Sequence, residues 1–173
     1  PAYFGRASLP LVLPCDVRHQ SLHFQSAVKL HVSRANPGAA NVAVELQREQ
    51  PSIEWCDAAP LDAGTTHFLL YLNSQTFMDD KGQLAAEVAQ ALAAGTPFCL
   101  VHENDAEAGG VPFSTFFDQT PAHLITSGIF SSLAVAWHSG QYRAVSLRLA
   151  LASLGAQLER KNRIDCVVQC MSR

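Results

Sequence analysis

The chain has 173 residues, 48% of them hydrophobic and 16% charged, with a net charge of −3. At this size about 70% of the unfolded chain's surface is buried on folding, so one core forms without disulfide staples, and the weak negative charge excludes a phosphate-tracking nucleic-acid surface. The longest apolar runs, at 68–72 and 133–137, fall far short of the roughly 20 residues that a bilayer demands, so no membrane span is expected.

Residues 1–26 are rich in Pro and aromatics without a clean period and read as an irregular lead-in. At 27–33, Val28, Leu30 and Val32 alternate with Lys29, His31 and Ser33, the period of a strand with one buried face. The strand stops at the turn cluster 34–38, after which Asn41 is placed to cap a helix running to about residue 49, with Val42, Ala43 and Leu46 on its apolar stripe. A short strand is expected at 52–56 and a loop of small residues at 57–64.

The run 67–72 is apolar without alternation, as in a central strand covered on both faces of a parallel sheet. After a polar loop at 73–80 comes the best-marked helix: Asp80 as N-cap, Gln83 three residues on, Leu84, Val88, Ala91 and Leu92 as the stripe, and Gly95 at the C-terminal stop. A further buried strand is expected at 97–101, running into His102 and Glu103, then a Gly109-Gly110 loop and an aromatic patch of Phe113, Phe116 and Phe117. Two helices are predicted to follow, one near 129–138 and one near 142–154 ending at Gly155, and then a polar, basic tail from 156. This order predicts an α/β domain with a mostly parallel sheet and right-handed crossovers, which place helices on both faces.

Five scattered cysteines with no Cys-x-x-Cys pair fit a reducing, cytoplasmic setting, and the seven histidines do not cluster at metal-ligand spacing. Opening on Pro1 with no leader pattern, the chain reads as a piece of something longer. Charge is uneven: residues 45–118 hold twelve acids and two bases, against +3, +1 and +3 in residues 1–44, 119–147 and 148–173. An acidic centre disfavours tight binding of a polyphosphate. The same asymmetry suits either a solvated face or head-to-tail association.

In an open α/β sheet, ligands bind beyond the carboxyl ends of the strands, where strand order reverses. That rule nominates Ser33, Arg34 and Asn36 after the first strand, Asn73 and Ser74 after the third, and His102, Glu103 and Asp105 after the fourth. Glu87 joins them, placed with Gln83 and Gln90 on the side of its helix away from Leu84, Val88 and Leu92. Cys99, within a buried strand, is expected to be inert.

The segment KGQLAAEVAQALAAGTPFCLV at 81–101, preceded by THFLLYLN at 66–73, resembles the central part of Toll/interleukin-1 receptor (TIR) domains. The stretch VKLHVS at 28–33, the helix from Asn41 and SIEWCD at 52–57 look like the first strand, first helix and second strand of that fold. The resemblance covers residues 27–155 and implies a flavodoxin-like, TIR-like sheet. It also implies one of two functions: cleavage of the nicotinamide–ribose bond of NAD⁺, or a catalytically silent association and signalling module that joins its parent to like or unlike domains, as a homo-oligomer or with other TIR-like domains. In the first, NAD⁺ is the substrate and no cofactor is implied. Glu87 falls at the position of the family's catalytic glutamate, and Ser33, Arg34, Asn36, Asn73, Ser74, Gln83, His102 and Glu103 are the residues expected to hold the nucleotide. Loss of nicotinamide builds oxocarbenium character on the ribose, which a nearby carboxylate stabilises. The chain departs from the family in two places. Gln83 stands where catalytic members often carry Trp, and between Asp57 and Thr66 there is no room for the usual second helix and its long interaction loop.

Overall fold

The computed structural model describes residues 21–57, 61–62, 64–79 and 81–158. In chain order the elements are β1 (Leu22–His23), β2 (Val28–Val32), α1 (Ala39–Glu49), β3 (Ile53–Cys56), β4 (His67–Leu72), α2 (Gln83–Ala93) and β5 (Phe98–Glu103). Then follow α3 (Thr115–Gln119), α4 (Ala122–Thr126), β6 (Val135–Trp137), α5 (Arg143–Ser153) and β7 (Gln157–Leu158). Strands β2 to β6 form one parallel sheet in the order β3-β2-β4-β5-β6, the flavodoxin-like 2-1-3-4-5 order whose reversal lies between β2 and β4. None of the described helices is long and apolar enough to cross a membrane.

The helices divide between the two faces, and the pleat sends alternate strand residues to each. On one face Leu30, Leu69, Val101 and Trp137 pack against Val42 and Leu46 of α1 and Leu151 of α5. On the other, Phe68, Leu70, Leu72 and Leu100 pack against Leu84 and Val88 of α2, Phe116 of α3 and Leu124 of α4. Burying each such side chain contributes about 1.5–3 kcal/mol, which is why the continuous apolar run of β4 becomes the centre of the sheet.

Several local expectations are corrected. The helix predicted at 129–138 is instead strand β6, paired in parallel with β5 through Val135 to Val101 and Trp137 to Glu103. A short apolar run does not distinguish strand from helix by period, and here pairing with β5 buries Trp137 to 1% exposure. The helix predicted at 142–154 starts one residue later, at Arg143, after a 3₁₀ turn, and Gly155 takes the expected left-handed conformation beyond it.

The N-cap predicted at Asn41 is not used. Helix α1 begins after Gly38 and so encloses Asn41. Helix α2 begins after Gly82, with the Asp79 carboxylate accepting from the Gln83 N–H, while Asp80 lies outside the described residues. Strand β5 extends through His102 to Glu103, two residues beyond its expected end, and β2 is buried on both faces, His31 included. Near the ends of the described residues, β1 and β7 pair antiparallel, so residues 22–23 and 157–158, within the expected lead-in and tail, form a small second sheet. The remaining lead-in and tail positions lie outside the described residues.

Gly38 has φ +85°, and a Cβ there would lie 2.7 Å from Tyr71 Cε1. Gly95 has φ +69° but open space around it. Gly38→Ala is therefore expected to lower stability by about 1–3 kcal/mol through backbone strain plus the ring clash, and more than Gly95→Ala, which carries the strain alone. Urea unfolding of both variants measures the difference, and equal losses would remove the Tyr71 contact as a cause.

Candidate functional site

Two consequences of β2's alternation build the site. Val28, Leu30 and Val32 belong to the α1–α5 face, so the intervening His31, and Ser33 just past the strand end, turn toward α2. Helix α2 starts at Gln83, and Glu87, four residues on, lies on the same side one turn above it. The Glu87 carboxylate meets His31 Nε2 at 3.2 Å through Oε2 and accepts from Gln83 Nε2 at 2.9 Å through Oε1. Ser33, whose Oγ accepts from the Ala35 N–H at 3.1 Å, also lowers the Glu87 carboxyl. His31 and Ser33 are buried, and the Glu87 side chain is only 11% exposed.

His31 packs on the ring of Phe68 with centroids 5.0 Å apart, and its Nδ1 is buried without a hydrogen-bond partner. With Nδ1 unpartnered, Nε2 is the ring nitrogen that donates to the Glu87 carboxylate. Burial alone would push the Glu87 carboxyl up, but hydrogen bonding with Gln83, Ser33 and His31 outweighs it and holds the group below its ordinary range. The result is a shielded, ionised carboxylate in a fixed orientation.

The crossover beside this cluster is short. No helix is present among the described residues between Cys56 and His67, where a parallel crossover ordinarily carries one. On the β2–β3 half of this face lie exposed Glu54, half-buried Cys56 and half-buried Lys29, which pairs with Asp62, and Leu61 of the crossover packs against the α2-side core. Half-buried Cys56 is the register neighbour of His31, so this edge of the sheet adjoins the His31–Glu87 pair.

The other nominated residues fall into different places. Arg34 is exposed and committed to Asp57, at 2.7 and 3.1 Å, and this guanidinium lowers the Asp57 carboxyl. Asn36 is buried and clasps the Tyr71 backbone from both sides, at 2.8 Å to its C=O and 2.8 Å from its N–H. It thus ties the loop after β2 to β4. His102 Nε2 lies 2.8 Å from the Val111 carbonyl, with its ring edge-to-face on Phe113 and Phe116. Phe117, Phe113 and Phe130 continue that stack as a satellite of the core.

Asn73, Ser74 and Glu103 line a crevice on the α1–α5 side of the strand ends, and Glu87 does not. Asp105 lies outside that lining and caps the 3₁₀ turn Ala106–Ala108 through the Glu107 N–H. The expected single site is therefore two. Ser33, Gln83 and Glu87 are brought together on one face of the sheet, Asn73, Ser74 and Glu103 on the other, and Arg34, Asn36 and His102 support structure. His31 was missed because alternation put it on the polar side of a half-buried strand. The signal that could have found it is the strong stripe of α2, which needs a sheet face to cover.

Buried Cys99 lies 3.2 Å from the Ser153 hydroxyl, and burial pushes its thiol up to about 11, which keeps it unreactive. Among the described residues, no three His, Cys, Asp or Glu side chains gather as metal ligands. Comparison with protein-family models, with curated proteins and with solved structures finds no match to the chain.

Proposed function

We propose that the chain is a TIR-like domain that cleaves the nicotinamide–ribose bond of NAD⁺, with Glu87 stabilising the ribosyl cation. The observation that carries this reading is the Glu87 carboxylate itself: mostly buried, held by His31 and Gln83, and lowered by its donors so that it is ionised. Departure of nicotinamide leaves positive charge on C1′ and the ring oxygen. A carboxylate about 4 Å away, at an effective dielectric near 20, stabilises that charge by about 4 kcal/mol, or roughly three powers of ten in rate. Fixed donors keep the carboxylate from reorganising as the charge develops. Incubating the concentrated protein with NAD⁺ and measuring free nicotinamide by chromatography tests the reading, and no release above the buffer rate overturns it.

The pH dependence follows from the depressed carboxyl. Its folded-state value lies below the unfolded one, so its contribution is complete above the ordinary carboxylate value of about 4.3 and is lost as pH falls through the folded value. The acid limb of kcat/KM is therefore expected below about pH 4.3, with no carboxylate limb between pH 5 and 7. An acid limb centred above pH 5 would contradict an ionised Glu87.

A second reading, an association module for like domains, is favoured by the exposed apolar side chains Leu133 (96%) and Phe117 (51%), the latter against Phe130. Light scattering that finds a monomer at every concentration and ionic strength removes it.

A further inference from the structure

The crevice on the α1–α5 side has a volume of about 530 Å³, within the range of small-molecule sites. It spans the loops after β2 and β4, the two strands between which the sheet order reverses, and this is where a doubly wound sheet presents its ligand crevice. Its chemistry differs from that of the Glu87 cluster, with which it shares no residue.

Glu103 and Tyr71 lie at the floor, both nearly inaccessible, with the phenol donating to Glu103 Oε2 at 2.5 Å and the Asp105 N–H donating to Oε1 at 2.8 Å. Glu45 and Glu107 belong to the walls. Beside Glu45, the Arg143 guanidinium lies over the Trp137 ring, 4.5 Å from its centroid, with Nε 3.6 Å from the Glu45 carboxylate. Three carboxylates against one guanidinium repel a polyphosphate, while carboxylate oxygens are the acceptors that a vicinal ribose diol requires. The Arg143 side chain lines the crevice and is 28% exposed, so part of it is open to a planar base, a stacking mode that Arg shares with aromatic side chains.

We propose that this crevice binds an unphosphorylated ribonucleoside, its ribose diol on the wall carboxylates and its base against Arg143. The site is separate from the proposed NAD⁺ chemistry and stands whether or not Glu87 is catalytic.

The test is calorimetric titration of the whole chain with adenosine, 2′-deoxyadenosine and ATP. Adenosine is expected to bind saturably, with 2′-deoxyadenosine and ATP each at least about tenfold weaker, because one loses a charge-assisted hydrogen bond and the other adds like charge. Asn41→Trp, at an exposed lining position, is expected to block adenosine by filling the crevice, and Glu87→Gln to leave it unchanged. Glu107→Arg, on an exposed wall residue, is expected to weaken adenosine by about tenfold without a folding defect, which covers the case of an unfolded Trp variant. No adenosine binding, ATP binding more tightly than adenosine, or loss of binding in Glu87→Gln with retention in both crevice variants would each overturn the assignment. That last pattern would instead move the bound nucleoside to the Glu87 face.

Discussion

Glu87→Gln is expected to reduce nicotinamide release by about 10²–10³-fold in kcat while leaving the fold intact. The amide keeps the size of the carboxylate and can still accept from Gln83 Nε2, 2.9 Å away in the native protein. What it loses is the negative charge at the position where the ribosyl cation develops. Retention of the melting temperature within a few degrees, with KM little changed, would assign the loss to the transition state rather than to binding. A variant that retained more than about a tenth of the native rate would show that the charge of Glu87 is not what drives the reaction, and the proposed chemistry would fall with it.

The largest stability effect is expected at Phe68. Its side chain is fully buried in β4, packed on the rings of His31 at 5.0 Å and Phe98 at 5.2 Å. Phe68→Ala is expected to cost about 3–5 kcal/mol, a large share of the 5–15 kcal/mol typical of a whole domain, and to lower the melting temperature by roughly 6–20 °C. The substitution also removes the surface on which His31 rests, so the Glu87 carboxylate loses the fixed orientation of one of its donors. Phe116→Ala is the control, because Phe116 is equally buried on the same face and contacts His102 and Phe113 rather than His31. At a temperature where both variants are folded, Phe68→Ala is expected to be the less active. Equal activity would mean that Phe68 does not position His31.

Much of the architecture was legible along the chain because period reports which side of an element is apolar. The unbroken run of β4 announced a buried central strand, the stripe of α2 announced a helix packed on one side, and Gly95 and Gly155 marked helix ends that the structure keeps. Strand β6 was not legible. Its three residues are too few to show a period, and they are extended because β5 offers them a partner and the α1–α5 face offers Trp137 a place to be buried. The helix starts were misread for a related reason: Gly38 and Gly82 adopt left-handed backbone as the chain enters each helix, a role that side-chain capping preferences do not reveal.

The candidate site divides along the same line. Glu87 was singled out from its resemblance and its place in the second turn of α2, but an isolated helix would show it as a solvated residue. Its partners His31 and Ser33 lie more than 50 positions away and join it only because α2 covers the face of β2 on which they lie. Asn73, Ser74 and Glu103 were nominated for the same pocket, yet the pleat sends Glu103 to the opposite face of the sheet, where it meets Arg143 from α5 across the crevice.

By itself, then, the sequence determined an α/β chain with buried parallel strands, the order of most elements and the helix that carries Glu87, since these depend on local composition and spacing. The tertiary structure alone decided the strand order, the short strand β6, the burial of His31 and the separation of the nominated polar residues onto two faces. The reason is that periodicity encodes which side of an element avoids water, whereas the identity of the element that covers it is set by packing between segments distant in the chain.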